Sequence, residues 1–76
     1  MKSNTKIINR LKRYRLLQGE LTQQDLADRA GVTRQTILSI EKGRYNPTIG
    51  LALRLAAIFE VPVEELFMLD EGDPNG

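Results

Sequence analysis

The stretch from Thr22 to Pro47, TQQDLADRAGVTRQTILSIEKGRYNP, decides the fold of this 76-residue chain. It contains two short segments with apolar residues at helical spacing, separated by Gly31, which can enter the left-handed conformation of a sharp turn. Ala27 is small enough to let two helices cross closely, and we expect Ile37 to lie opposite it. The second segment begins with the polar residues TRQT (33–36). This layout predicts a helix-turn-helix whose second helix reads base edges in the DNA major groove.

The length of the chain predicts a single small domain. We place this domain at residues 1–70, with the helix-turn-helix motif at 22–42. The tail at 71–76 is acidic and has nothing to bury, so we expect it to be disordered. Two β-prone segments, 6–8 and 67–69, either pair as a small antiparallel ribbon or extend the neighbouring helices.

Capping residues predict an all-α domain with five helices. We expect Asn9, Thr22, Thr33 and Thr48 to cap the first four helices at their N-termini. Pro62 is expected to end the fourth helix and begin a short fifth one. The fourth helix is predicted to bury one broad apolar face, made of Leu51, Leu53, Leu55, Ala56 and Phe59.

The composition argues against several classes of function. The chain has no cysteine and no histidine, which removes disulfides, thiol and imidazole catalysis and the usual zinc sites. We see no phosphate-binding loop and no pair of carboxylates flanking a plausible cleft, so we expect no enzyme, metal, cofactor or small-molecule ligand. No apolar run approaches the roughly 20 residues that span a membrane. We therefore expect a cytoplasmic protein.

Charge is distributed unevenly along the chain. Residues 1–54 hold all eleven basic side chains and four acidic ones, a formal charge of +7, whereas residues 55–76 hold six acidic ones and no base. This asymmetry favours a basic face for a polyanion and an acidic region that faces elsewhere. The alternative is that the charges only solvate the surface.

The polar side chains of the second motif helix match the chemistry of base edges. Arg34 can donate two parallel hydrogen bonds to guanine, and Gln35 can make a bidentate contact with adenine. Thr36 and Ser39 are short and suit a thymine methyl group or a single base atom. The alternative for Arg34 is a phosphate contact that carries no sequence information.

Other polar residues flank this helix and suit the DNA backbone. Gln23 lies at the start of the first motif helix, where backbone N–H groups favour an anion. Thr33 belongs to this group, although its hydroxyl is also the expected helix cap. Four residues that follow the second motif helix complete the predicted phosphate contacts: Lys42, Arg44, Tyr45 and Asn46. The alternative for Tyr45 is a surface plug that covers the loop.

Two predicted features are structural rather than DNA-contacting. Arg15 and Glu41 interrupt apolar packing surfaces, which favours a partly buried ion pair between the first and third helices over two independent solvated charges. Because one recognition helix covers few base pairs, we also expect a two-fold homodimer that presents two such helices about 34 Å apart to a near-palindromic operator. The predicted dimer surface comprises Ile58, Phe59, Val61, Pro62, Leu66 and Met68.

Residues 8–69 resemble the lambda-repressor/Cro-type helix-turn-helix family, also called the xenobiotic-response-element family. The resemblance rests on LTQQDLADRAGVTRQTI, IEKGRYNP and LALRLAAIFEVPVEELF, and the variant in which VTRQTI is followed by IEKGRYNP is similar to the cytolysin-repressor type. It implies a compact five-helix domain, a homodimer, an inverted-repeat operator and a small sheet from the two termini. It further implies the residue roles given above for the ion pair, for the phosphate contact of Gln23 and for the base contacts of Arg34, Gln35 and Ser39.

The sequence leaves several functions open within and beyond this class. The favoured one is transcriptional repression by occupying a promoter on double-stranded DNA. An antitoxin or restriction-controller subunit that binds its own promoter is the second. A protein-bridging or RNA-binding module is the third, and the polar character of the recognition helix argues against it.

Overall fold

The computed structural model describes residues 6–70, which form five short helices and a two-stranded ribbon. In chain order the elements are β1 (Lys6–Asn9), α1 (Leu11–Leu17), α2 (Gln23–Ala30), α3 (Arg34–Glu41), α4 (Ile49–Phe59), α5 (Val63–Leu66) and β2 (Phe67–Asp70). The five predicted helices are confirmed. The tail predicted at 71–76 lies outside the described residues.

The ribbon joins the two ends of the described chain. Strands β1 and β2 are antiparallel, with Ile7 opposite Leu69 and Ile8 opposite Met68. The predicted ribbon is therefore confirmed, and the alternative of two helix extensions is not. A backbone hydrogen bond from Arg10 to the Leu66 carbonyl (2.8 Å) continues this contact to the start of α1.

Three of the four predicted caps form as expected. The hydroxyl oxygens of Thr22, Thr33 and Thr48 each accept a hydrogen bond from the backbone N–H three residues later. The prediction for Asn9 was wrong, because pairing with β2 keeps this residue in the extended strand and Arg10 precedes α1 instead. Asn9 still accepts from the Leu11 N–H at 3.3 Å.

The predicted apolar face of α4 needs two corrections. Leu53 is 54% exposed, because it lies about 200° around the helix from Leu51 and Leu55, which are both buried. The helix also ends at Phe59, before the predicted Pro62, because Glu60 adopts the left-handed conformation (φ 59°). The core collects the buried apolar side chains of all five helices and the α1–α2 loop: Leu11, Leu21, Leu26, Ala27, Ala30, Ile37, Ile40, Leu51, Leu55, Ala56, Phe59 and Leu66.

Two glycines provide a matched test of the turn between α2 and α3. Gly31 has φ +74°, so we expect Gly31→Ala to lower the free energy of unfolding by about 1–2 kcal/mol through left-handed strain. Gly50 lies in α4, where an added Cβ would meet nothing within 4 Å, so Gly50→Ala should raise it by roughly 0.5 kcal/mol. Urea denaturation of both variants checks this, and changes of the same sign would contradict it.

Candidate nucleic-acid interface

The turn between α2 and α3 sets the geometry of the interface. Gly31 donates its N–H to the carbonyls of Ala27 and Asp28, which closes the C-terminus of α2. Val32 then donates to the Ala27 carbonyl at 3.0 Å, and its side chain packs against the core. Ala27 and Ile37 are fully buried where α2 and α3 meet. Close packing at small residues therefore fixes the orientation of α3 on the body of the domain.

The predicted base-contacting residues divide between two surface depressions. Gln35, Thr36 and Ser39 line a depression of about 270 Å³, together with Thr33 and Tyr45. Arg34 instead lines a depression of about 450 Å³ that it shares with the end of α1 and the start of α2, including Gln23. The structure thus brings three of the four predicted base contacts together and places Arg34 beside the predicted phosphate contact of α2.

The four predicted phosphate contacts after α3 lie at the surface. Lys42 continues the last turn of α3 by donating its N–H to the Leu38 carbonyl at 3.0 Å. The Arg44 N–H donates to the Ser39 carbonyl at 2.9 Å, which folds the following loop back against α3. The side chains of Lys42, Arg44, Tyr45 and Asn46 are all exposed.

Thr33 and Gln23 both have partners within the protein. The Thr33 hydroxyl accepts the Thr36 N–H at 3.2 Å and lies 3.0 Å from the Thr36 hydroxyl, so it serves as a helix cap. The side-chain Nε2 of Gln23 donates to Glu41 Oε1 at 3.1 Å. Because a carboxylate only accepts, the NH₂ group of Gln23 must face Glu41, and one of its two N–H donors stays available to a ligand.

The predicted ion pair between Arg15 and Glu41 is present, and it is almost completely buried. Arg15 Nε donates to Glu41 Oε2 at 2.8 Å and Arg15 Nη2 to Oε1 at 3.2 Å, and the side chains are 10% and 3% exposed. Arg15 Nη1 also donates to the Leu21 carbonyl at 2.9 Å. This bidentate arrangement joins α1, the α1–α2 loop and α3.

Two of the six residues in the predicted dimer surface are buried. Phe59 and Leu66 are 4% and 0% exposed, so they pack in the core of this chain and offer almost no surface to a second one. Pro62 is exposed. The remaining three members of the predicted surface are half-buried: Ile58, Val61 and Met68.

Two side chains that hold the motif in place were not identified from the sequence. Asn9 Nδ2 donates to the Ile40 carbonyl at 2.9 Å, in the last turn of α3. Arg54 Nη1 donates to the Ala30 carbonyl at 2.8 Å, at the C-terminus of α2, where a positive charge also suits the helix dipole. The first contact joins two residues that are 31 positions apart in the sequence, and the second joins two that are 24 positions apart. No local sequence pattern therefore indicates either contact.

Within residues 6–70 no helix is long and apolar enough to cross a membrane. The same residues contain no group of three acidic side chains positioned to hold a metal ion. The described surface offers a polar α3 face, flanking basic residues and the tight turn at Gly31, which together define a helix-turn-helix.

The comparison with protein families agrees with this geometry. A model of the helix-turn-helix family matches residues 11–66, and the chain belongs to this family, of the lambda-repressor/Cro type. The match covers α1 through α5 and therefore includes the motif, the ion pair and the core.

Individual relatives are similar over most of their length. An uncharacterized HTH-type transcriptional regulator of Methanocaldococcus jannaschii is 48% identical over 65 residues, which cover 86% of this chain and 97% of the relative. The HTH-type transcriptional regulator YgzD of Bacillus subtilis, also uncharacterized, is 41% identical over 63 residues, or 83% and 94% of the two chains. The restriction-modification controller protein C.AhdI of Aeromonas hydrophila has a similar structure, with a TM-score of 0.70, 33% identity and coverage of 76% of this chain and 86% of that one.

The buried ion pair gives a sharp stability prediction. Glu41→Leu should lower the free energy of unfolding by about 3–5 kcal/mol, because it leaves the guanidinium of Arg15 buried without its partner. The double variant Arg15→Leu/Glu41→Leu should recover at least half of this loss, since neither charge then remains buried. Thermal and urea unfolding check both variants.

An exposed carboxylate provides the control for this prediction. Asp28 accepts a hydrogen bond from Gln24 at 2.9 Å on the surface of α2, so Asp28→Ala should change stability little. A double variant that is less stable than Glu41→Leu would contradict the explanation by an uncompensated buried charge.

Proposed function

We propose that this chain is a sequence-specific DNA-binding transcriptional regulator that represses by occupying a promoter. The observation that carries the proposal is the polar face of α3, where the side chains of the exposed Gln35 and the half-buried Ser39 make no hydrogen bond within residues 6–70 and line the same depression. Unpaired amide and hydroxyl groups on a rigidly held helix are suited to base edges in the major groove.

The surroundings of α3 support nucleic acid over a protein partner. Arg34 at the start of α3 and Lys42 and Arg44 after its end are exposed cations. Such side chains suit a phosphate backbone on either side of a groove. Helix α3 exposes no large apolar side chain, whereas a protein-bridging surface would need such anchors. The membership in a family of transcriptional regulators points in the same direction.

A homodimer follows from the small reach of a single recognition helix. Two copies related by a two-fold axis would present two α3 helices to half-sites one helical turn apart, and the operator would then be an inverted repeat. The corner between α4 and α5 is the surface that we propose for this contact, through Ile58, Val61, Pro62 and Met68. Its flanking charges are acidic, which keeps it away from DNA.

A restriction controller is the second candidate function. It is favoured by the structural similarity to C.AhdI, which is a restriction-modification controller protein. In that role, as in an antitoxin subunit, the chain would bind the promoter of its own operon. Both candidates need the same DNA-binding surface, and adjacent methyltransferase and endonuclease genes would favour the controller.

Selection from a pool of randomised duplexes tests sequence-specific binding. The full chain should enrich a near-palindrome with half-sites about one turn apart, and Gln35→Ala should lose about tenfold or more in discrimination at one position of each half-site. Lys42→Ala is the matched control, because loss of a phosphate contact should weaken all sequences alike and make binding less sensitive to salt. Binding that is indifferent to sequence and unchanged by Gln35→Ala would contradict the proposal.

Analytical ultracentrifugation tests the dimer surface. We expect the chain to be a dimer at micromolar concentration and Val61→Glu to be a monomer, because a third carboxylate beside Glu60 and Glu64 would face its own copy. Leu17→Glu is the control, since Leu17 is 69% exposed on α1 and lies outside the proposed surface. A monomeric wild-type chain, or a dimer that tolerates Val61→Glu, would contradict this assignment.

A further inference from the structure

The depression beside α3 contains a residue that the sequence assigned to the phosphate backbone. Tyr45 is 43% exposed and lines this depression together with Thr33, Gln35, Thr36 and Ser39. Its position follows from the turn after α3, where Gly43 adopts φ +74° and the Arg44 N–H bonds back to the Ser39 carbonyl. The loop therefore returns toward α3 and places the aromatic ring among the predicted base contacts.

The hydroxyl groups of the two threonines are already engaged. The Thr33 and Thr36 hydroxyls lie 3.0 Å apart and share a hydrogen bond, and the Thr33 hydroxyl also accepts the Thr36 N–H. The Thr36 hydroxyl therefore already has a partner within the protein, and the methyl group on the same Cβ is the apolar group that Thr36 can offer to a ligand. The Tyr45 ring adds a second apolar surface to the same depression.

Polar groups remain free next to this apolar surface. The Gln35 amide and the Ser39 hydroxyl make no hydrogen bond within the described part of the chain. The depression thus combines an amide donor–acceptor pair, a hydroxyl and an apolar wall. An A·T base pair presents the matching pattern in the major groove, with adenine N6 and N7, thymine O4 and the thymine 5-methyl group.

We propose that Tyr45 is a specificity-determining residue that contacts the 5-methyl group of a thymine, together with the Thr36 methyl group, while Gln35 contacts an adjacent adenine. This inference rests on the proposed function, because it names the base that the proposed DNA-reading surface recognises. It changes the role of Tyr45 from a contact that fixes position on the backbone to one that selects sequence.

Replacing thymine by deoxyuridine in the selected operator tests the inference, because it removes only the 5-methyl group. Each thymine is replaced in turn, symmetrically in both half-sites, and dissociation constants are measured by fluorescence anisotropy. We expect one position at which binding weakens about fourfold per half-site, the loss for one buried methyl group. No effect of deoxyuridine at any position would overturn the inference.

Variants at Tyr45 assign the methyl contact to this residue. Tyr45→Ala should prefer the thymine operator over the deoxyuridine operator by a clearly smaller factor than the unchanged chain does, because only the Thr36 methyl group then remains at the contact, whereas Tyr45→Phe should keep the full preference because it keeps the ring. Arg44→Ala is the matched control in the same loop, and it should weaken both operators equally and lower the salt dependence. If Tyr45→Ala also weakens both equally and keeps the preference for thymine, Tyr45 is a phosphate contact and the inference fails.

The proposed function and the proposed role of Tyr45 can be contradicted separately. A chain that selects no sequence from the randomised pool contradicts the proposed function. A chain that selects an operator but shows no thymine preference dependent on Tyr45 contradicts only the inference about this residue. Circular dichroism and melting of Tyr45→Ala show whether the variant is folded, which we expect because the side chain is exposed.

Discussion

The carboxylate of Glu41 is the group on which the arrangement of the first three helices depends. It accepts two hydrogen bonds from Arg15 on α1 and one from Gln23 on α2, while it belongs to α3 itself. A carboxylate with 3% exposure is tolerated only with such partners, because burying an unpaired charge is costly. The buried carboxylate of Glu41 thus connects α3 to α1 and α2, the two helices that precede it.

The same network links stability to the surface that we propose contacts DNA. Glu41 accepts a hydrogen bond from Gln23 Nε2 and so fixes the orientation of the Gln23 amide, which is a predicted phosphate contact. Asn9 and Arg54 add hydrogen bonds to the carbonyl ends of α3 and α2 from the ribbon and from α4. Side chains from α1, the ribbon and α4 therefore hold the motif in place, while the side chains of Gln35 and Ser39 make no hydrogen bond within residues 6–70. Such preorganisation is what precise recognition of base edges requires.

The sequence predicts the local features of this fold well, because their causes lie within a few residues. The threonine caps, the left-handed turn at Gly31 and the β-prone termini each follow from chemistry that acts over one to four positions. The ion pair was also predicted, since two charges interrupt apolar surfaces. The prediction that Leu53 is buried was wrong, because it relied on the apolar character of this side chain. Leu53 is two residues from Leu51 and therefore lies on the other side of the helix.

Apart from the ion pair and the terminal ribbon, long-range contacts could not be predicted in the same way. Whether Phe59 and Leu66 face a partner or the core depends on how α4 and α5 fold over α1, which their own spacing does not determine. The division of the α3 face, with Arg34 beside α2 and Tyr45 beside Gln35, likewise depends on loop geometry. The sequence therefore indicates the candidate site by residue type, and the structure assigns neighbours within it.

We propose that α3 and the residues that flank it form the DNA-contacting surface. Titration of the ¹⁵N-labelled chain with its selected operator, followed by amide chemical shifts, tests this claim most directly. We expect the largest changes at the start of α2, along α3 and at residues 44–46, with small changes in β1 and β2. Changes concentrated on the ribbon or on α4, with α3 unaffected, would contradict it.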